Sequence, residues 1–211
     1  MRTYFQYCAL ARALDLVGDR WTLLIVRELL TLGPSRYTDL HKGLPGIATN
    51  LLVDRLRELE DAGVVGRIDP SPPVATVLFQ LTDRGRALEP VVKALGAWGG
   101  PTLGTWKAGE QFRSHWLILP LELHLADNAP SRRPVSIEVR VGDGSIVIEA
   151  ASGTVRVRHG TATSPAALVS GPPDIVLAAL LGRLPLTTAR RRGLRIDGDI
   201  RAFTRVQPRT P

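Results

Sequence analysis

The sequence predicts an α+β protein built as two domains in tandem, and three observations carry that expectation. Apolar residues recur at helical spacing through most of the first half of the chain. A Gly- and Pro-rich stretch, GGPTLGTWKAGEQ, follows at 99–111 with few apolar anchors and reads as a linker. Beyond it, PVSIEVRVGDGSIVIEAASGTVRVRHG (134–160) alternates apolar and polar residues with a period of two, broken by Gly-containing turns. The expected boundaries are a first domain over 1–98, the linker at 99–111, and a second domain over 112–207.

In the first domain, Ala9 to Val17 places apolar residues at 10, 13, 14 and 17 and stops at Gly18, a helix. DRWTLLIVRELLTLG (19–33) follows with Asp19 as the expected cap and Gly33-Pro34 as the stop. SRYTDLHKGLPG (35–46) predicts a short helix with Ser35 as N-cap, ending before Pro45. ATNLLVDRLRELEDAGVV (48–65) is a further helix, and VVGRIDPSPPVATVLFQLT (64–82) reads as a hairpin around a Pro-rich tip. DRGRALEPVVKALGAW (83–98) closes the domain as a helix that Pro90 is expected to kink. This order of elements is that of a winged helix-turn-helix.

The second domain opens with RSHWLILPLELHLAD (113–127), helical with a break or restart at Pro120. Three alternating strands follow, then PAALVSG as a fourth. PPDIVLAALLGRL (172–184) is a helix expected to be capped by Asp174 and closed by Gly182. RRRGLRIDGDIRAFTRV (190–206) gives a strand and a short last helix opened by Asp199.

Composition narrows the function classes. The chain has 211 residues, 44% hydrophobic and 22% charged, as expected of a globular protein in water. No apolar run reaches 18 residues, and Arg12 and Asp15 break any signal-peptide core, so a cytoplasmic protein without membrane association is expected. Cys8 is the single cysteine, which excludes an intramolecular disulfide. The histidines at 41, 115, 124 and 159 form no HxxxH pair, so neither a metal site nor a cofactor is expected. There is no nucleophile elbow, paired-carboxylate motif or phosphate loop, which argues against an enzyme. The net charge of +7 suits an acidic partner, but residues 1–107 carry 13 basic and 11 acidic groups while 108–211 carry 14 and 9. Charge alone therefore does not point to the first domain. The run Arg190, Arg191, Arg192 fits either a solvated surface or an accessory phosphate patch.

The pattern within 48–65 is more informative. Leu51, Leu52, Leu56, Leu59 and Ala62 gather on one side, which packing explains fully. The first two turns of the other side offer Thr49, Asn50, Val53 and Arg57: a hydroxyl, an amide, an apolar group for a thymine methyl, and a guanidinium. Glu58, Glu60 and Asp61 would repel phosphates at the far end. A helix entering a groove by its N-terminus and an ordinary surface helix both fit. Arg55 lies near the middle of the apolar side and is expected to pair with an acid nearby. Arg36 and Tyr37 suit phosphate contacts at the start of the preceding helix, unless they are merely solvated and packed.

Several of these segments occur together in one family. YCALARALDLVGDRWTLLIVRELL, GPSRYTDLHKGLPGIATNLLVDRLRELEDAGVV and LTDRGRAL resemble, in order, the HxlR-type winged-helix transcriptional regulators, relatives of the MarR group, over about Tyr7 to Trp98. The resemblance implies a homodimer, joined by its first and last helices, that binds a double-stranded operator and usually represses. Three departures stand out. Ala48-Thr49 replaces the usual Ser-Pro. The tip DPSPPVAT lacks an arginine, leaving Arg67 at its base. Leu78 replaces a polar wing residue that a second domain would have to cover. In many members the cysteine before helix one senses oxidants; Cys8, with Arg12 one turn away, fits either that role or simple packing.

VSGPPDIVLAALLGRL and GLRIDGDIRAF are similar to sterol-carrier-protein-like domains, from about Trp116 to Val206. That resemblance implies a sheet covered by helices around an apolar tunnel, with Trp116, Leu119, Leu123, Ile137, Val139, Leu177, Leu180 and Leu181 as candidate lining for an apolar small-molecule effector. Each of them could equally be closed core. Two functions therefore stand at this point: a transcriptional regulator, and a lipid or small-molecule carrier that uses its winged helix to bind protein. Asn50 and Arg57 discriminate between them.

Overall fold

The computed structural model describes residues 3–68, 76–107 and 109–208. By its contacts the chain forms two compact units, Met1–Ala94 and Leu95–Pro211.

The first unit begins with α1 (Ala9–Val17) and α2 (Thr22–Leu32). The expected Asp19 cap is not used. Helix α2 starts three residues later, after Trp21 in a left-handed turn with φ of 81°. Asp19 instead pairs with Arg55, which lies 36 residues further along the chain. Ser35 is not a helix cap either. Ser35–Arg36 form a short strand, β1, and the Ser35 hydroxyl donates to the Gly33 carbonyl at 2.9 Å. α3 (Tyr37–Gly43), α4 (Thr49–Asp61), β2 (Val65–Ile68) and β3 (Leu78–Leu81) follow. β3 lies between β1 and β2, antiparallel to both, with Leu78 opposite Arg36 and Ile68. The expected last helix is two: α5 (Asp83–Arg86), capped by the Thr82 hydroxyl, and α6 (Glu89–Gly99). Pro90 falls in the first turn of α6, where a missing N–H costs nothing, so it starts a helix rather than kinking one.

Helix against helix and wing, the core of this unit is Ile25, Val26, Leu29, Leu40, Leu44, Leu52, Leu56, Leu59, Val64, Val65 and Phe79 with their neighbours. Leu52, Leu56 and Leu59 are the i, i+4, i+7 stripe of α4, and all three are buried. Glu28 is buried among them, paired with Arg27, whose guanidinium is pulled below its ordinary pKa by burial. A Cβ at Gly43 would collide with the Glu28 carboxylate, so a residue without a side chain lets α3 close against α2.

The second unit has a five-stranded sheet in the order β6–β5–β4–β7–β8, from β4 (Val135–Val141), β5 (Gly144–Ala151), β6 (Thr154–His159), β7 (Ala167–Ser170) and β8 (Arg195–Gly198). Only β4 and β7 run parallel. One face, carrying Ile137, Val139, Ile146, Ile148 and Val169, forms a core with α7 (Ile118–His124), α8 (Pro173–Leu180) and α10 (Ile200–Arg205). Pro120 lies within α7, which a 3-10 turn at Ser114–Leu117 precedes. α8 begins after Pro172, with Asp174 inside its first turn rather than at the cap. α9 (Leu186–Arg191) is a short helix that the sequence reading did not assign.

On the opposite face Glu138 is also buried. The chain between β6 and β7 anchors there, with Ala162 N–H donating to Glu138 at 3.1 Å and Arg140 Nε donating at 2.7 Å. These bonds, the Arg140 one foremost, hold the Glu138 carboxyl below the ordinary range. A second buried charge, Arg205, clips α10 to the loop after α7. It donates to both Asp127 oxygens at 2.7 and 3.0 Å and to the carbonyls of Arg133 and Ala150.

Candidate nucleic-acid interface

The entry to α4 is fixed by Leu44-Pro45-Gly46-Ile47. Leu44 and Ile47 are buried, the Ile47 N–H donates to the Leu44 carbonyl at 3.1 Å, and Gly46 takes a φ of 90° that favours glycine. Ala48 is the N-cap and has no side chain to offer, so the exposed N–H groups of the first turn lack a side-chain cap. The Tyr37 hydroxyl donates to the Thr49 carbonyl at 2.9 Å, and the Tyr37 ring stacks on His41. Tyr37 is thereby half-buried and holds α3 to the start of α4, while Arg36 beside it is exposed.

Thr49, Asn50 and Arg57 are exposed on the outer side of α4, with Val53 half-buried at the flank. Among the described residues, the side chains of Asn50 and Arg57 make no intramolecular hydrogen bond or ion pair. Their neighbour Arg55 behaves in the opposite way. It is 18% exposed and bridges Asp19 and Glu58, as its place on the apolar side suggests. Its Nε is buried without a partner, which fixes the fork toward those two acids.

The acidic end of α4 differs from its sequence appearance. Glu58 is neutralised by Arg55, and Glu60 receives Arg67 in a two-pronged bond at 2.6 and 2.8 Å. Arg67 also lies over the Phe79 ring, 5.5 Å from its centre. So two of the acids expected to repel phosphate are already paired, and the cation at the wing base is held inward. The helix ends between Glu60 and Arg67, so no helical spacing advertised the pair. The tip residues 69–75, with the missing arginine, lie outside the described residues.

Cys8 is an exposed free thiol at the N-cap of α1. In the second unit, Ile137, Val139 and Leu180 are fully buried in one cluster, with Leu177 and Leu181 packed on it. Leu119 is buried, Trp116 is half-buried beside Phe112 and His115, and Leu123 is exposed. The eight candidates are therefore not one continuous lining. The buried bridge of Asp127 and Arg205 was missed in the sequence because its members are 78 residues apart.

Comparison with known proteins decides the family. The HxlR-like helix-turn-helix family matches residues 16–105, and the SCP-2 sterol transfer family matches 128–208. The HTH-type transcriptional regulator YvaP of Bacillus subtilis (strain 168) is 39% identical over 88 residues, 41% of this chain and 80% of that protein. The chain belongs to the HxlR-like helix-turn-helix family. The HTH-type transcriptional regulator YodB of the same organism is 38% identical over 87 residues, 41% of this chain and 76% of that one. The structure of reduced YodB covers 48% of this chain and all of its own, at 33% identity and a TM-score of 0.40. This HxlR-like chain is thus a helix-turn-helix regulator, from a family of non-catalytic DNA-binding proteins, fused to a C-terminal sterol-carrier-like domain. The SCP-2 match starts at 128, so Trp116, Leu119 and Leu123 precede the matched segment. None of its helices is long and apolar enough to cross a membrane, among the described residues.

Proposed function

We propose that the protein is a homodimeric transcriptional repressor that inserts the first two turns of α4 into the major groove of a double-stranded operator. The observation that carries this reading is the contrast on α4: Asn50 and Arg57 are exposed and unengaged, whereas Arg55 is tied down. An amide and a guanidinium read adenine and guanine edges respectively, Val53 meets a thymine methyl, and Thr49 reaches the backbone. Arg36 and the uncapped N–H groups of α4 contact phosphates. Arg67 serves the DNA backbone only where it leaves Glu60. Tyr37 acts by holding the helix start.

Dimerisation uses α1 and α6, which carry exposed apolar side chains: Leu10 and Leu14 on one, Val91, Leu95 and Trp98 on the other. Trp98 is 82% exposed, an unusual state for an indole without a partner. The two α4 helices then lie about one turn of DNA apart, roughly 34–36 Å. The second domain, over about 112–207, takes an apolar small molecule near Ile137, Val139, Leu177, Leu180 and Leu181. Such a ligand regulates by preferring one spacing of the two reading helices.

Fluorescence anisotropy on the DNA upstream of the gene tests this reading. Two chains per palindromic site and affinity that falls steeply with salt are expected. Flat salt dependence, or equal affinity for unrelated DNA, contradicts it.

A further inference from the structure

A cleft of about 310 Å³ opens within the first unit between α1 and the body of the winged helix. Its apolar walls are Leu16, Val17, Val64 and Leu88, with Ala13 beside them. Its charged members are Arg12 and Arg84, both exposed. Among the described residues neither arginine has a hydrogen bond or ion pair. The acids nearest to them in sequence are engaged elsewhere. Asp15 accepts from the Thr3 hydroxyl at 3.0 Å and the Tyr4 N–H at 2.9 Å, and Asp83 pairs with Arg86 at 3.1 Å. Most other arginines of this unit with an acid in reach, Arg27, Arg55 and Arg67 among them, are paired.

An apolar hollow with two unmatched guanidinium groups selects one kind of small molecule. A neutral apolar ligand would leave the cations unused, and a small hydrophilic anion would leave the walls wet. We propose that this cleft binds an amphipathic organic carboxylate, its aromatic or branched aliphatic body against Leu16, Val17, Val64 and Leu88 and its carboxylate facing Arg12 and Arg84. Burial of the body supplies affinity in proportion to apolar area. The charge-assisted guanidinium bonds supply selectivity for the anion.

The cleft reaches the reading helix through Val64. Its N–H donates to the Leu59 carbonyl at 2.9 Å, closing α4, and its own carbonyl accepts from the Thr82 N–H at 3.1 Å and hydroxyl at 3.2 Å. One residue thus joins the end of α4, the start of β2 and the cap of α5. A carboxylate wedged between α1 and Val64 changes how α1 sits on the reading unit, and so the operator affinity. That consequence rests on the proposed DNA reading, whereas the binding itself does not.

Isothermal titration of the full chain with 2-naphthoate, and with neutral 2-naphthalenemethanol, tests the site. Saturable naphthoate binding at one per chain is expected, with the alcohol at least roughly tenfold weaker. Arg12→Gln and Arg84→Gln should each weaken naphthoate by a similar factor, and Ala13→Trp, at an exposed position, should fill the cleft and abolish binding. Circular dichroism checks that each variant keeps its fold. No heat, equal affinity for the alcohol, arginine variants that bind normally, or undiminished binding by Ala13→Trp each overturns the proposal. Naphthoate that binds as expected but leaves operator affinity unchanged removes the regulatory consequence alone. Absent operator binding without ligand is a failure of the DNA reading instead.

Discussion

Arg55 on α4 reaches back to Asp19, in the turn before α2, and at the same time holds Glu58 one turn along its own helix. The bridge ties the reading helix to the helix behind it, on the side away from Asn50 and Arg57. Removing it in Arg55→Ala should cost about 1 kcal/mol of stability, since both acids are partly exposed, plus packing of the arginine stem. Urea denaturation measures the loss. Base preference in an operator-mutation series should be unchanged, because Arg55 is a positioning residue and not a reader.

Glu60→Gln releases Arg67 from its two-pronged bond. The freed cation can then meet a phosphate, so non-specific DNA affinity should rise. The slope of log affinity against log salt should steepen by about one counterion. A slope equal to the parent's would mean that Arg67 points away from DNA in either state.

Gly43→Ala drives a methyl into the buried Glu28 carboxylate. Overpacking of this kind costs roughly 1–3 kcal/mol, read as a fall in melting temperature. Gly33→Ala is the instructive comparison: it meets no crowding and strains only a positive φ.

The clip of Asp127 and Arg205 governs acid stability in the second unit. The Arg205 hydrogen bonds hold the Asp127 carboxyl at about 2, below its ordinary 3.8. A depressed carboxylate stabilises the fold fully above the unfolded value. Its contribution falls away as pH drops from near 3.8 through about 2. Arg205→Met leaves Asp127 buried and unpaired, a change worth roughly 3–5 kcal/mol. Thermal melts across this range should show the parent losing stability with acid and the variant losing less, from a lower start.

Periodicity sufficed wherever local pattern and packing agreed: the Leu52, Leu56, Leu59 stripe, the alternation of β4 to β6, and Asp199 as the cap of α10. It failed wherever a side chain had a better partner far away in sequence. Asp19 and Ser35 looked like caps, but one was claimed by Arg55 and the other by strand pairing with β3. The same limit hid the state of the reading face. The sequence placed Asn50 and Arg57 on the outer side of α4, but only the fold distinguishes Arg57, unengaged, from Arg67, bonded to Glu60. In the second unit, spacing could not separate fully buried Ile137 and Val139 from exposed Leu123.

The central claim is that Asn50 and Arg57 read the operator. Its most direct measurement is operator affinity, against unrelated DNA, for Asn50→Ala, Arg57→Ala and Arg55→Ala at one salt concentration. The account predicts a loss of about 1–3 kcal/mol in specific affinity for each of the first two, with melting temperatures unchanged. Arg55→Ala should lose stability and keep its discrimination between the two DNAs. Parent-like specificity in both Asn50→Ala and Arg57→Ala would contradict the account.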